Sequence, residues 1–393
     1  MKAMLSSRER MMTAIECGEP DYVPICFMIF SALRSKCKDQ YEFIDKQLEM
    51  GLDAIVDLVS PADTQSEHSD LHGLPVRFDP QVSIREWKED DAENPLLHKE
   101  YITPSGTLRT TVRKTNDWQH DDHVPLFDDY LIPRSKKFLI TGKADLDPLR
   151  HLLIPPSEAD IQRFRETAKK AKEFADSRKI LVTGGWGVGM DAACWMCGIE
   201  NLMLSAIYEP EFVEELADII AYWNQKRMKV VLDVGVDLYI RRGWYESADF
   251  WPPDLFRKFI LPFLQKEADM AHQAGAKFGY ILTTSTMPLL DALLESGIDV
   301  LIGVDPVQGR GTDLAEMKRR LNGKICLWGG VNSFVTVEIG NKKEIALAVQ
   351  TAIETLAQGG GFILSPVDNI RDTSEKTREN VDFMIDIWKK LRI

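Results

Sequence analysis

The sequence predicts an α/β protein, a single (β/α)₈ TIM barrel over residues 1–393 with a β-rich insertion at residues 75–148 after the second strand. Three observations carry this expectation. Short runs rich in Val, Ile, Leu and Phe recur, most followed by a stretch of helical periodicity, which is how a parallel sheet with crossover helices reads in sequence. The runs number eight, the count that closes such a barrel. A chain of 393 residues that is 44% hydrophobic can bury one large core.

The eight runs lie at residues 23–28, 53–57, 180–184, 236–241, 277–282, 300–304, 325–328 and 361–364. Between them, residues 210–230 place Phe212, Leu216, Ile219, Ile220 and Trp223 on one stripe, with acids early and Lys or Arg late, as the helix dipole favours. Residues 254–274 and 342–357 read as helices in the same way. The insertion is expected from ITPSGTLRTTVRKT, a turn signal between strand-like alternations, and it is expected over or beside the barrel mouth. Pro155 and Pro156 mark the return to helix.

Charge and composition limit the function classes. The 61 acidic against 48 basic side chains give a formal net charge of -13, which repels phosphate backbones and anionic bilayers, so neither nucleic acid nor membrane is expected as a partner. No apolar run approaches the ~20 residues a bilayer span needs, and MKAMLSSRERMM is charged where a signal peptide is greasy. A cytoplasmic protein is expected, with its six cysteines as thiols, buried residues or metal ligands. A homodimer is one candidate assembly.

In a parallel barrel the chemistry gathers at the carboxyl ends of the strands. The segment YIRRGWYESADFW puts Tyr239, Arg241, Arg242, Trp244, Tyr245 and Glu246 at such an end, where Glu246, Arg241 and Tyr245 are catalytic candidates. The competing reading is an arginine paired with Glu246 or Asp249 for structure alone. SPVDNIRD offers Asp368, Asn369 and Arg371, GVDPVQG offers Asp305, and GGVN offers Asn332. Glu246, Asp305 and Asp368 are candidate ligands for zinc or another divalent metal, and Asp368 is a candidate general acid. Asp and Asn in these loops also cap helices and close turns. Trp186, Tyr239, Tyr280 and Trp328, with Asn332 and Arg371, are candidates for holding a flat substrate, against which stands plain core packing.

Other signals are weaker. Cys194 and Cys197 form a lone CxxC expected as two semi-buried thiols. His68 and His72, beside Glu67 and Asp70, bind metal if helical and otherwise sit in a solvated turn. GGWGVGM does not fit the dinucleotide fingerprint, and the sequence holds no Walker-type loop. DLHGLP begins like a cobalamin-binding signature but has Pro75 where that signature needs Gly.

Several segments, taken in order, resemble the uroporphyrinogen decarboxylase superfamily, which also holds corrinoid-linked methyltransferases. RERMMTAIECGEPDYVPI looks like the family's entry helix and first strand, TPSGTLRTTVRK like its inserted hairpin, PPDLFRKFILPFLQKEADMAHQAGAK like the helix before its fifth strand, and GGGFILSPVDNI like its last strand. True uroporphyrinogen decarboxylases carry Arg-Gln-Ala-Gly-Arg-Tyr after the first strand; here FMIFSALRSK stands there, with only Arg34 to serve. The thiolate zinc site of the coenzyme M methyltransferases meets Ile281, Thr283 and Asp368 here.

The resemblance therefore implies methyl transfer from a small methylated substrate, an aromatic methyl ether among the candidates, to the corrinoid of a separate protein. Decarboxylation of a tetrapyrrole acid is the alternative, opposed by the missing arginines and the acidic net charge. A non-catalytic corrinoid-binding protein is a third, opposed by the charged cluster after strand four.

Overall fold

The computed structural model describes residues 4–58, 74–309 and 311–392. His68, His72 and most of DLHGLP lie outside them. The strands are β1 Ile55–Asp57, β2 Ser83–Glu89, β3 Leu96–Thr103, β4 Gly106–Arg113, β5 Ser135–Lys137, β6 Leu181–Gly187, β7 Leu238–Arg242, β8 Lys277–Ile281, β9 Val300–Val304, β10 Cys326–Asn332 and β11 Phe362–Val367. The chain divides into two compact units. One draws on residues up to Leu58, Thr167–Gly184 and the chain from Val234 onward; the other takes residues from Leu74 to Glu166 and Gly185–Asp233.

The first unit is α/β and TIM-barrel-like, around a parallel sheet in the order β1-β6-β7-β8-β9-β10-β11. Residues 23–28, expected as an eighth strand, are not a regular strand. Ile25 meets Leu364 of β11 through an isolated parallel bridge, and just past both segments Ile29 meets Asn369 in the same way, while the Asp53 amide donates to the Ile25 carbonyl at 2.8 Å on the other flank. Pro24 has no amide hydrogen to give to a ladder, which keeps the pairing short.

Helices cover one face of this sheet. Residues 254–274 form two helices, Pro253–Phe259 and Leu261–Gln273, instead of the one expected. Pro262 explains the break, because its ring cannot accept a continuing helix on its N-terminal side. The helix Lys342–Leu356 starts where expected, fixed by an Asn341–Glu344 capping box.

Register across the sheet sorts its residues by face, since side chains alternate along each strand. Arg241, Tyr280, Leu301, Leu327 and Phe362 form one row of direct partners on neighbouring strands. At one end of that row the Phe362 ring, like Ala352 of the helix Lys342–Leu356, crowds Gly330, so this row faces the helices. The next row, Arg242, Ile281, Ile302, Trp328 and Ile363, faces the other way, into the curl of the sheet.

The second unit contains an antiparallel sheet in the order β2-β3-β4-β5, within residues 75–148. Strands β3 and β4 form a tight hairpin whose Gly106 has φ +143, a region open to glycine. The helices Met190–Cys197, Ile199–Tyr208 and Pro210–Asp233 belong to the same unit. Among the described residues, no helix is long and apolar enough to cross a membrane.

Candidate active site at the strand ends

The loop after β7 folds back onto its own strand. Gly243 makes this possible, because a Cβ there would stand 2.5 Å from the Tyr280 ring. Glu246 is thereby fully buried and joins three groups. It accepts from the Tyr280 hydroxyl at 2.6 Å and from Arg241 Nη2 at 2.8 Å, and Arg241 Nη1 donates to Glu267 of the helix Leu261–Gln273 at 3.0 Å. All four residues are at most 1% exposed. Burial alone would lower the Arg241 pKa, but Glu246 and Glu267 push it well up, so the guanidinium stays charged.

The geometry of this cluster matches the competing, structural reading of three candidates. Arg241 and Tyr280 belong to the helix-facing row and Glu246 is closed off from solvent, so together they tie β7 and β8 to a helix. Breaking such a buried, hydrogen-bonded pair costs about 3–5 kcal/mol. Tyr239 shares their face, its ring stacked on Phe278 with centroids 6.0 Å apart. Glu267 was not legible as a partner. It is an acid on the buried stripe of Leu264, Ala268 and Ala271, and that misplaced charge was the available signal.

Arg242 takes the position expected of Arg241. It lies in the row facing into the curl of the sheet, with its guanidinium 4.7 Å from the Trp244 ring centroid. Tyr245 is half-buried with its ring against Phe250, and its carbonyl receives the Trp251 indole at 2.9 Å. The β8 loop is sewn to this segment: Thr284 donates to the Ser247 hydroxyl at 3.1 Å and Ser285 to Asp249 at 2.7 Å.

Asp305 and Asn332 close turns, the plainer of their two readings. Asp305 accepts from the Val307 and Gln308 amides at 2.7 and 3.1 Å and from the Asn332 amide at 2.6 Å. The Asn332 oxygen caps Val335 at 2.6 Å. Trp328 is 2% exposed and its indole donates to the Cys26 carbonyl, a packing role. Arg371 is exposed, and its backbone amide is anchored on Glu338. Trp186 falls in the second unit, with φ 55. Arg34 turns its guanidinium onto the Cys37 carbonyl at 3.1 Å.

Asp368 differs from the other two acids. It is half-buried, immediately follows β11, and holds a left-handed backbone at φ 69. Ser285, after β8, is likewise left-handed at φ 42. Such conformations are costly for residues with a Cβ and collect where a fold positions working groups.

Among the described residues no three His, Cys, Asp or Glu side chains gather so as to hold a metal ion, and Glu246 and Asp305 spend their oxygens inside the fold. Cys194 and Cys197 are not semi-buried but fully enclosed, in a helix covered on all sides, and burial pushes the Cys197 thiol far up.

Solved structures resemble this chain to different extents. A methyltransferase from Methanosarcina mazei is 15% identical, with 98% of this chain and 99% of that one covered at a TM-score of 0.60. A B12-independent methionine synthase from a Shewanella species is 11% identical over 56% of this chain and 65% of its own, at a TM-score of 0.42. Among curated proteins, none matches in sequence. The family profile described as uroporphyrinogen decarboxylase (URO-D) matches residues 127–391, more than half of the sequence, and the chain belongs to that family.

Proposed function

We propose that this protein is a methyltransferase that takes a methyl group from a small methylated substrate, an aromatic methyl ether in the first instance, and passes it to the corrinoid of a separate protein. Family membership and the fold shared with the Methanosarcina methyltransferase support the reaction class. One observation carries the assignment of the acid. Of the three carboxylates singled out at strand ends, Glu246 and Asp305 are at most 2% exposed and Asp368 alone keeps solvent access.

In this reading the partner's corrinoid, in its reduced state, would supply the electron pair for the new bond to the methyl carbon. The methyl carbon leaves its oxygen, and the electron pair of the broken C–O bond stays on that oxygen. Asp368 supplies the proton that neutralises it, which removes the cost of expelling an alkoxide or phenoxide. Trp244 and Tyr245, both half-buried at the end of β7, offer flat surfaces for an aryl group.

The test is transfer of a methyl group from a panel of methoxyarenes to reduced cobalamin by the purified protein. Methylcobalamin formation on at least one substrate supports the reading. Conversion of uroporphyrinogen in place of methyl transfer overturns it.

A further inference from the structure

We infer that β2 is a self-complementary docking edge through which two copies of this chain pair antiparallel. Strand β2 ends its sheet, and β3 is its only strand neighbour among the described residues. All seven of its residues are exposed, including Ile84 at 42% and Trp87 at 38%. An edge strand turns alternate amides and carbonyls outward, where another strand can take them up.

The sequence of the edge names its occupant. Two identical strands pair antiparallel about a two-fold axis perpendicular to the sheet, and such an axis can pass through Trp87. With that register, Trp87 lies opposite the partner's Trp87, Arg85 opposite the partner's Glu89, and Glu86 opposite the partner's Lys88. Glu86 and Lys88 keep partners within their own chain, His123 with Lys99 and Asp122 respectively, so the charge match that fixes the register is Arg85 with the partner's Glu89, exposed by 70% and 64%. Centring one residue earlier would set Glu86 against the partner's Glu86 and lose this match.

The neighbouring strands already run the same pattern. Arg109 on β4 binds Glu100 on β3, and Arg85 stands 3.9 Å from Glu100. The partner's Glu89 continues that row of alternating charge across the new edge. Trp87 is stacked on His98 with centroids 4.9 Å apart, so a flat ring is already held at the two-fold position. A seven-residue edge buries less surface than a permanent interface, so the dimer is reversible and concentration-dependent.

Charge reversal in the full-length protein tests this, with association followed by sedimentation velocity up to about 0.1 mM, a range that detects a micromolar dimer. Wild type is expected to dimerise. Arg85→Glu and Glu89→Arg, each alone, set like charges together twice in the symmetric pair and should weaken association at least tenfold. Mixed in equal amounts, the two variants restore both pairs and should form a heterodimer. Circular dichroism melts confirm that these exposed substitutions leave each variant folded. A wild type that stays monomeric, single variants that associate as wild type does, or a mixture that does not associate each overturns the proposal.

Discussion

Tyr280 gives its phenolic hydrogen to Glu246 at 2.6 Å, and the carboxylate that receives it also neutralises Arg241 at 2.8 Å. The three groups have no contact with solvent, so the interaction acts on stability first. Glu246→Gln should lower stability by about 2–4 kcal/mol, because Arg241 then keeps only Glu267 in a buried setting. Tyr280→Phe removes one hydrogen bond to a charged group and should cost about 1.5–3 kcal/mol. Urea denaturation of both variants and of the double variant measures this. The two losses should fall short of additivity, since each removes part of one network.

Gly243 supplies a second, purely steric check. An alanine there would put its Cβ 2.5 Å from the Tyr280 ring, and the ring is pinned by Glu246. Gly243→Ala should lower stability by about 1–3 kcal/mol. A melting temperature equal to wild type would show that the turn can relax away from Tyr280.

This part of the molecule also shows what the sequence could and could not disclose. The β/α alternation was readable because hydrophobic periodicity is local: seven of the eight expected runs became strands of one parallel sheet. The remaining run, the first in the chain at residues 23–28, reads the same by composition, and Pro24 cost it a regular ladder. The face taken by each strand-end side chain was not readable, because a shift of one residue reverses it. Arg241 and Arg242 are adjacent in sequence, yet one pairs with a helix and the other faces into the curl of the sheet. Whether Asp305 caps a turn or faces a substrate depends on the Val307 and Gln308 amides, whose position only the folded backbone sets.

The second unit should lose stability in acid over a defined range. Burial by itself would raise the Glu86 carboxyl, but the hydrogen bond from His123, the Lys99 charge and the Val124 amide outweigh it and hold the group at about 2. A depressed folded pKa stabilises the fold above the unfolded value of roughly 4.3–4.5. That contribution is lost as pH falls towards about 2. Glu86→Gln should cost about 1 kcal/mol at neutral pH, less than the whole shift because the carboxylate is partly exposed. The gap between variant and wild type should close as the pH approaches about 2.

Cys194 and Cys197 should behave as core residues. Both are at most 2% exposed, and burial holds the Cys197 thiol in its protonated, unreactive form. Thiol titration of native protein should leave both unmodified until denaturant is added, as peptide mapping would show. Replacing both with alanine should lower the melting temperature without changing turnover. Rapid native labelling at either position would contradict the enclosed geometry.

The proposed reaction assigns its proton to Asp368, the half-buried acid in left-handed backbone after β11. Asn removes the proton and the charge at nearly constant size, so folding should hold while acid assistance disappears. The decisive measurement is the rate of methyl transfer to reduced cobalamin by wild type and Asp368→Asn, on the methoxyarene that wild type uses best. We predict a fall of about 10²-fold or more in the variant, the scale of a lost general acid, with an unchanged melting temperature. A folded Asp368→Asn protein that turns over at near the wild-type rate would contradict the assignment.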